Sequence, residues 1–598
     1  MDIIKELRAT GSLDDRRLAQ IIRRHNRDID DNRRHYAKKK LLPYYLKVKK
    51  TDHARWLSWG VDPGIETQLL QLLKVKPQRT ASGVATISVI TKPWTCASDC
   101  LYCPNDLRMP KSYLSDEPAC QRAERNYFDP YLQVSSRLRA LTQMGHATDK
   151  IELIILGGTW SDYPPAYQIW FVSELFRALN DGEKAEASVN ERRRFYRMQG
   201  LSNHPDELAA QVRGLQGKVD TGALSFNQAI GQLYQGRSGP WAGVAAMQVS
   251  DLDELNRRHA ENEAAQHRVV GLVVETRPNA INAESLTFLR RLGCTKVQMG
   301  IQSLDPALLI QNNRTTSLQM IKDSMAMLRI FGFKIHVHFM VNLLGSTVLQ
   351  DKLDYRDLVS QKPYLPDEVK LYPCVLVEGT GLYKEYQRGL WQPYDQEELL
   401  DVLRSDVLST PPFIRISRMI RDISAKDIVA GNKMANIRQL VERGIEEGGG
   451  HIQEVRYREI RTDTADVSAL LLEALEYETT ASDECFLQWV TPQGRIAGFL
   501  RLSFPKAAYL RGHKGLPVAP DEAMIREVHV YGQAAQLHKT VAGAQHQGLG
   551  RQLVQRACEL AKEKGYTKVN VISSVGTRAY YRNLGFEDGE LYQQLSLE

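Results

Sequence analysis

The segment TCASDCLYC, residues 95–103, places Cys96, Cys100 and Cys103 close together in a chain that has eight cysteines in 598 residues. The other five cysteines lie far apart, so a disulfide framework is not indicated. Three thiolates at this spacing indicate a metal or redox centre. Structural zinc usually has four nitrogen or sulfur ligands, and no fourth cysteine or histidine stands nearby, so an incomplete zinc knuckle is the weaker interpretation.

A 4Fe-4S cluster fits this segment better, because three of its irons take thiolates and the fourth stays open for a small molecule. The spacing C-x3-C-x2-C resembles that of radical S-adenosylmethionine (SAM) enzymes, in which SAM occupies the open iron. The resemblance implies that Cys96, Cys100 and Cys103 bind the cluster. It also implies that Tyr102 is the aromatic residue that meets the adenine of SAM.

Short apolar segments alternate with helical ones from residue 83 onward. They predict strands at residues 83–91, 151–156, 268–275, 296–301, 333–340 and 368–372. Apolar runs separated by segments long enough for crossover helices are typical of a parallel sheet that closes fully or partly into a β/α barrel. We therefore expect functional side chains at the carboxyl ends of these strands.

Several polar residues stand at those strand ends. Gly157, Gly158 and Thr159 lie where radical SAM enzymes carry a glycine-rich turn that meets the amino group of SAM, although two glycines also suit a plain tight turn. Arg277 and Gln302 are further candidates for cofactor contacts, and Lys370 and Tyr372 are candidate catalytic residues. The alternative for these side chains is a structural ion pair or a core tyrosine.

A second kind of domain is predicted from about residue 452. Residues 485–504 read as two strands around a turn, and residues 524–532 as another strand. A Q-x-x-G-x-G loop, an amphipathic helix, a strand and a short helix follow, an order that resembles the GNAT acetyltransferase fold. Backbone N–H groups at a helix N-terminus can hold the pyrophosphate of coenzyme A. The residues concerned are Gln545, His546, Gln547, Gly548, Leu549 and Gly550.

Tyr580 and Tyr581 stand where many GNAT enzymes keep a tyrosine that protonates the leaving thiolate. Only one of these two adjacent side chains can face the thioester. The sequence leaves open which one it is.

The net charge of +7 is concentrated at the N-terminus, where residues 1–50 hold 15 Lys and Arg against 7 Asp and Glu. Tyr36, Tyr44 and Tyr45 are interleaved with this charge. Such a segment could neutralise phosphates and stack on bases, as an RNA-binding arm does, or it could be a solvated basic helix.

Residues 181–267 interrupt the alternation of strands and helices and are rich in Arg, Gln and Asn. We predict a partly helical insertion in the barrel that either contacts substrate or is a solvated peripheral excursion.

A radical SAM barrel followed by a GNAT domain resembles the catalytic subunit of Elongator and its stand-alone archaeal and bacterial relatives. The segments that carry this resemblance run from about residue 76 to the end, and they include CLYCPND (100–106), VETRPN (274–279), GCTKVQMGIQS (293–303), REVHVYG (526–532) and QHQGLG (545–550). The insertion and the spacing between the first two cysteines depart from the family pattern.

The resemblance implies a domain order. It is a basic helical tRNA-binding region at 1–75, a radical SAM barrel at 76–400, a linker at 401–451 and a GNAT domain at 452–598. It also implies carboxymethylation of carbon 5 of the wobble uridine in tRNA, through SAM radical chemistry on acetyl-CoA. The implied partners are the anticodon stem-loop of tRNA, an electron donor, and either Elongator-like subunits or a homodimer.

The N-terminus has no signal-peptide core and the chain has no run of 18 apolar residues, so we expect a cytosolic protein with no membrane partner. A rival function is protein lysine acetylation, with Glu527 or His529 as the base. A third is a catalytically silent RNA-binding scaffold. Both leave the three clustered cysteines unused.

Overall fold

The computed structural model describes residues 1–27, 29–31, 34–75, 82–236, 239–460, 469–531 and 546–597, without the side chains of residues 546 and 547. The strands are β1 (Ala85–Ile90), β2 (Lys150–Leu156), β3 (Arg268–Thr276), β4 (Lys296–Gln302), β5 (Lys334–Val341), β6 (Glu368–Pro373), β7 (Leu376–Val377), β8 (Arg415–Arg418), β9 (Ile428–Ala430), β10 (Leu471–Glu478), β11 (Ser482–Val490), β12 (Ile496–Pro505), β13 (Glu522–Val530), β14 (Lys568–Val571), β15 (Glu587–Asp588) and β16 (Gln593–Ser596).

The helices up to the end of β3 are Asp2–Thr10, Asp15–Asn26, Lys38–Thr51, His53–Ser58, Pro63–Leu73, Pro118–Arg125, Pro130–Gln143, Pro165–Asp181, Glu186–Met198, Pro205–Asp220, Phe226–Tyr234, Pro240–Ala245 and Leu252–Glu263. Those that follow are Ala283–Arg291, Pro306–Gln311, Leu318–Ile330, Val348–Ser360, Gly381–Gln387, Gln396–Ser409, Ile437–Glu447, Val455–Arg458, Ala507–Arg511, His546–Glu563 and Arg578–Arg582. No helix within these described ranges combines the length and apolarity needed to span a membrane.

The first sheet is parallel throughout and has the strand order β1-β2-β3-β4-β5-β6-β8. One face of each strand is apolar where helices cover the sheet, and β5 is buried along almost its whole length. The predicted partial β/α barrel and its six strands are confirmed. The seventh strand, β8, lies in the segment predicted to be a linker. Its sequence RISR has a single apolar residue and so carries no strand signal.

The second sheet has the order β10-β11-β12-β13-β14-β16-β15 and is antiparallel except for the pair β13 and β14. The helix His546–Glu563 connects these two parallel strands and packs on β12 and β13. A helix between two parallel strands is the arrangement predicted for the GNAT-like part, which is confirmed.

The described residues of the N-terminal region form five α-helices with a small apolar core of their own, which includes Leu18, Leu42 and Leu69. Tyr36 and Tyr44 are about half exposed, as an RNA contact requires. Tyr45 is buried instead, and its hydroxyl donates to Glu66 at 2.8 Å. The predicted stacking role of Tyr45 is therefore wrong. It occupies an inward position of its helix, together with Leu42 and Val48.

A buried ionic network joins the barrel to the GNAT-like domain. Arg526 of β13 donates to both carboxylate oxygens of Asp367 at 2.7 and 2.8 Å, and to Glu484 at 2.8 Å. Arg501 pairs with Asp367 at 3.3 Å and with Glu527 at 3.0 Å. Because each charge has opposite charges around it, the two domains are held in one fixed arrangement.

Replacing Arg526 with Met is expected to lower the free energy of unfolding by about 3–5 kcal/mol, because two buried carboxylates lose their main partner. Chemical denaturation of the purified protein measures this. Arg291→Met is the matched control, since Arg291 bonds to Glu590 at the same interface but is half exposed. It should cost less than about 1 kcal/mol. Equal effects of the two variants would contradict the role of the buried network.

Candidate active site

The three clustered cysteines lie in the loop that follows β1, which we call the cysteine loop (residues 91–107). Cys100 is buried, and Cys96 and Cys103 are partly exposed. The neighbouring Cys103 thiol and the Arg314 guanidinium lower the pKa of Cys100 to about 5, whereas burial raises the pKa of Cys96. This shift favours the thiolate of Cys100, the form that binds metal.

Arg314 was not predicted from the sequence, although it is buried and its Nη1 lies 3.5 Å from the Cys100 sulfur. Beside it, the buried Tyr102 hydroxyl has no hydrogen-bond partner among the described residues. In the part of the chain that the structure describes, no three His, Cys, Asp or Glu side chains already surround one point as metal ligands. The donor set, the cation and the unpaired hydroxyl nevertheless fit an anionic cluster with a polar ligand beside it.

Arg277 fastens the cysteine loop to the barrel. It donates to the Ser98 hydroxyl at 2.5 Å and pairs with Asp162 at 3.0 Å. Asp162 in turn accepts a hydrogen bond from the Ala97 N–H at 3.4 Å. The ion pair is therefore structural, and Arg277 also lines the cavity beside the loop.

The glycine pair after β2 has two different roles. Gly157 has φ +143°, and a Cβ there would lie 1.8 Å from the Thr91 hydroxyl, so this position requires glycine for packing. Gly158 has φ +87° and lines the cavity together with Thr159. Gln302, at the end of β4, lines it as well. Gly158, Thr159 and Gln302 therefore border the cavity, and their contacts with SAM stay a prediction.

A polar cluster occupies the barrel interior. Lys370 donates to the Gln298 side chain at 2.6 Å, and burial lowers the pKa of Lys370 to about 8. His338 lies 3.3 Å from the same Gln298 oxygen and 3.5 Å from Glu275. The Tyr372 ring packs edge-on against His338. Lys370 and Tyr372 both line the cavity. No sequence motif indicated which side chains of the neighbouring strands would contact them.

One cavity of about 1010 Å³ connects these groups with the GNAT-like domain. At the end formed by the carboxyl ends of the strands it is lined by Cys96, Cys100 and Cys103, and at the opposite end by Glu527, His529 and Tyr581. It runs through the barrel because the GNAT-like domain packs against the amino ends of the strands, where Lys334 bonds to Glu527 at 2.5 Å. The three cysteines and Tyr581 therefore border one continuous cavity.

In the GNAT-like domain, Gly548 and Gly550 lie in the first two turns of the helix His546–Glu563. Among the described residues, a Cβ at Gly548 would meet nothing within 4 Å, and a Cβ at Gly550 would lie 3.1 Å from the Tyr580 hydroxyl. Tyr580 is thus beside the predicted pyrophosphate site, whereas Tyr581 is buried and lines the cavity. Gln545 and the side chains of His546 and Gln547 lie outside the described residues.

The candidate bases of the rival function are engaged elsewhere. Burial would raise the pKa of Glu527, but Lys334 and Arg501 outweigh it and hold the pKa below the usual value. Burial lowers the pKa of His529 to about 4, and its ring stacks on Phe499. Glu527 is therefore part of the ionic network between the domains, and neither group is tuned as a base for a lysine substrate.

The fold and this cavity define a class of protein, namely a radical SAM barrel joined to a GNAT acetyltransferase domain. Comparisons agree with this class. Residues 366–447 match the Radical_SAM C-terminal domain and residues 453–586 match the acetyltransferase (GNAT) family.

Relatives match along most of the chain. The tRNA uridine(34) acetyltransferase of Methanocaldococcus infernus is 29% identical over 98% of this chain and 96% of its own. The enzyme of the same name from Dehalococcoides mccartyi is 31% identical over 86% of this chain and 97% of its own. A solved structure of archaeal Methanocaldococcus infernus Elp3 with an N-terminal deletion (1–46) matches with a TM-score of 0.65 at 28% identity, over 86% of this chain and 100% of that one. This chain belongs to the family of the tRNA uridine(34) acetyltransferases and Elongator complex protein 3.

Proposed function

We propose that this protein is a tRNA-modifying enzyme that carboxymethylates carbon 5 of the wobble uridine, with a 4Fe-4S cluster, SAM and acetyl-CoA. The observation that carries the proposal is the single cavity that holds the three cysteines at one end and Tyr581 at the other. Uridine 34 of tRNA is named in two relatives, which supports the choice of substrate.

Residues at the two ends of the cavity have different proposed roles. Cys96, Cys100 and Cys103 hold the cluster, and the backbone after β2 together with Tyr102 positions SAM. When bound, the cluster and SAM would supply the radical that takes a hydrogen atom from the acetyl methyl group of acetyl-CoA. The position of the site among the barrel strands would limit the access of water to that reactive carbon.

The GNAT-like end of the cavity is proposed to act on the thioester of acetyl-CoA. The first turn of the helix His546–Glu563 would present backbone N–H groups to the pyrophosphate of coenzyme A. Tyr581 lines the cavity and is the better placed of the two tyrosines to donate a proton to the leaving thiolate, while Tyr580 borders the pyrophosphate site. In the barrel, Lys370 presents an ammonium group to a carbonyl or carboxylate of the substrate.

The direct test is mass spectrometry of tRNA nucleosides after incubation with reconstituted protein, SAM, acetyl-CoA and a reductant. We expect a carboxymethyl group on uridine that requires every component. Acetylation of lysine peptides in place of uridine modification would favour the rival function.

The N-terminal helices are proposed to bind the tRNA backbone, with the anticodon stem-loop reaching the cavity. Lys39 and Lys47 are exposed on the helix Lys38–Thr51, next to the exposed Tyr44. This combination of cations and an aromatic ring suits phosphates and bases. An external electron donor, and either Elongator-like subunits or a second copy of the chain, complete the proposed partners.

Replacing Lys39 and Lys47 with Ser is expected to weaken tRNA binding and to reduce the slope of log K against log salt by about 0.7–0.9 for each phosphate that is no longer neutralised. Titrations at several salt concentrations measure this. Lys514→Ser with Lys562→Ser, two exposed lysines of the GNAT-like domain, is the control. An unchanged slope in the first variant would place the RNA site on the barrel or the insertion.

A further inference from the structure

The residues predicted as an insertion pack against the cysteine loop. After the crossover helix Pro165–Asp181, the described part of the chain has five α-helices before β3. We call the first four of them the insertion helices: Glu186–Met198, Pro205–Asp220, Phe226–Tyr234 and Pro240–Ala245. They contribute no titratable side chain to the cavity lining. Their contacts with the cysteine loop nevertheless occur on both sides of the three cysteines.

The first contact is made on a cysteine itself. The Asn227 carboxamide accepts a hydrogen bond from the Cys96 N–H at 2.9 Å and donates one to the Cys96 carbonyl at 2.8 Å. Asn227 is held in place because Ser225 and Gln228 form a capping box at the start of its helix. Both main-chain groups of the first predicted cluster ligand are thus fixed by one side chain.

The second contact follows the third cysteine. The Gln216 carboxamide accepts from the Leu107 N–H at 3.0 Å and donates to the Asn105 carbonyl at 3.0 Å. The Leu107 side chain is fully buried in an apolar cluster whose other buried members all belong to the insertion helices: Val212, Val219, Phe226, Ala229, Ile230 and Tyr234. The end of the cysteine loop is therefore part of the core of the insertion.

A third contact precedes the cysteines. The buried Lys92 donates to the Gln248 side chain at 2.7 Å, and its ammonium group lies over the Trp241 ring at 5.9 Å. Three separate attachments thus bracket the segment from Cys96 to Cys103. A peripheral excursion would not be expected to pair twice with the main chain of this one loop.

We infer that the insertion helices are a clamp on the cysteine loop, with Asn227 and Gln216 as positioning residues for the cluster ligands. The inference rests on the proposed cluster. The clamp restrains the loop in the conformation that presents the thiolates, and it limits the opening through which iron would be lost. It acts through the cysteines and supplies no ligand of its own.

The test compares Asn227→Ala and Gln216→Ala with Gln232→Ala, a change at an exposed position of the same helix as Asn227. In protein without iron, hydrogen exchange of the amides of residues 96–107 should become about thirtyfold faster in the first two variants, because each loses two hydrogen bonds of about 1 kcal/mol. After anaerobic reconstitution, transfer of iron to a chelator should accelerate at least about tenfold. Exchange in the barrel strands and the thermal midpoint should stay at the values of the control.

If exchange and iron transfer in both variants match Gln232→Ala, the clamp is refuted. Faster exchange without faster iron transfer also refutes it, because the contacts would then only order the loop. If one variant does not fold, the other decides, since Asn227 and Gln216 act at opposite ends of the loop. Failure of the wild-type protein to bind iron would refute the proposed function, whereas the exchange comparison would still test the attachment.

Discussion

Iron binding and uridine modification should both be lost when Cys96, Cys100 and Cys103 are replaced together with alanine. The unmodified protein should bind about four irons per chain after anaerobic reconstitution, and the variant none. Acetyl-CoA hydrolysis stimulated by tRNA should persist, because the GNAT-like end of the cavity has its own side chains. Iron analysis, nucleoside mass spectrometry and a thiol-release assay measure the three quantities.

Cys558→Ala is the control for this experiment, since Cys558 lies on the helix of the GNAT-like domain, far from the cysteine loop in the sequence. It should keep its iron and its activity. Full iron loading of the triple variant would refute the cluster assignment. Loss of acetyl-CoA hydrolysis together with uridine modification would mean that the cysteine end of the cavity also affects hydrolysis of the thioester.

A valine in place of Gly548 is expected to abolish both hydrolysis and modification while iron binding stays complete. Among the described residues, nothing lies within 4 Å of a Cβ at this position. We therefore expect the loss to come from the blocked approach of coenzyme A to the backbone. Calorimetric titration with acetyl-CoA, together with the two activity assays, measures the effect.

Gln555→Val is the matched control, because Gln555 is exposed on the same helix two turns away. Gly550→Val should resemble Gly548→Val in activity but also disturb Tyr580, whose hydroxyl lies 3.1 Å from the added Cβ. Normal acetyl-CoA binding by Gly548→Val would move the pyrophosphate site away from this helix. Variants of these two glycines and of the three cysteines therefore test acetyl-CoA binding and cluster binding separately.

The sequence predicted the parallel strands of the barrel well, because the face of each strand that packs against the helices carries apolar side chains. It missed β8, since a short edge strand next to the domain junction can be mostly polar. It also placed Tyr45 at the surface, because adjacent tyrosines look alike until the helix phase is known. The helical periodicity is weak there, where lysines and leucines alternate irregularly.

Side chains whose contacts lie far away in the sequence were harder to predict. Arg314 approaches Cys100 from more than 200 positions away, and Asn227 pairs with Cys96 from the insertion. Neither belongs to a motif with fixed spacing. From the sequence, Glu527 could be a base or a structural residue. The structure shows that it pairs with Lys334 of the barrel. Such contacts depend on tertiary structure, which local pattern does not encode.

The position of the cavity inside the barrel limits how a nucleotide can reach it. The cavity of about 1010 Å³ lies among the strands of the barrel, so a reacting base has to enter it away from its stacked neighbours. The target uridine must therefore swing out of its stack before reaction, which costs a few kcal/mol and least for an unpaired base. A uridine in a duplex would carry the additional cost of breaking its pair. The depth of the cavity thus selects against uridines in stems before any base is recognised.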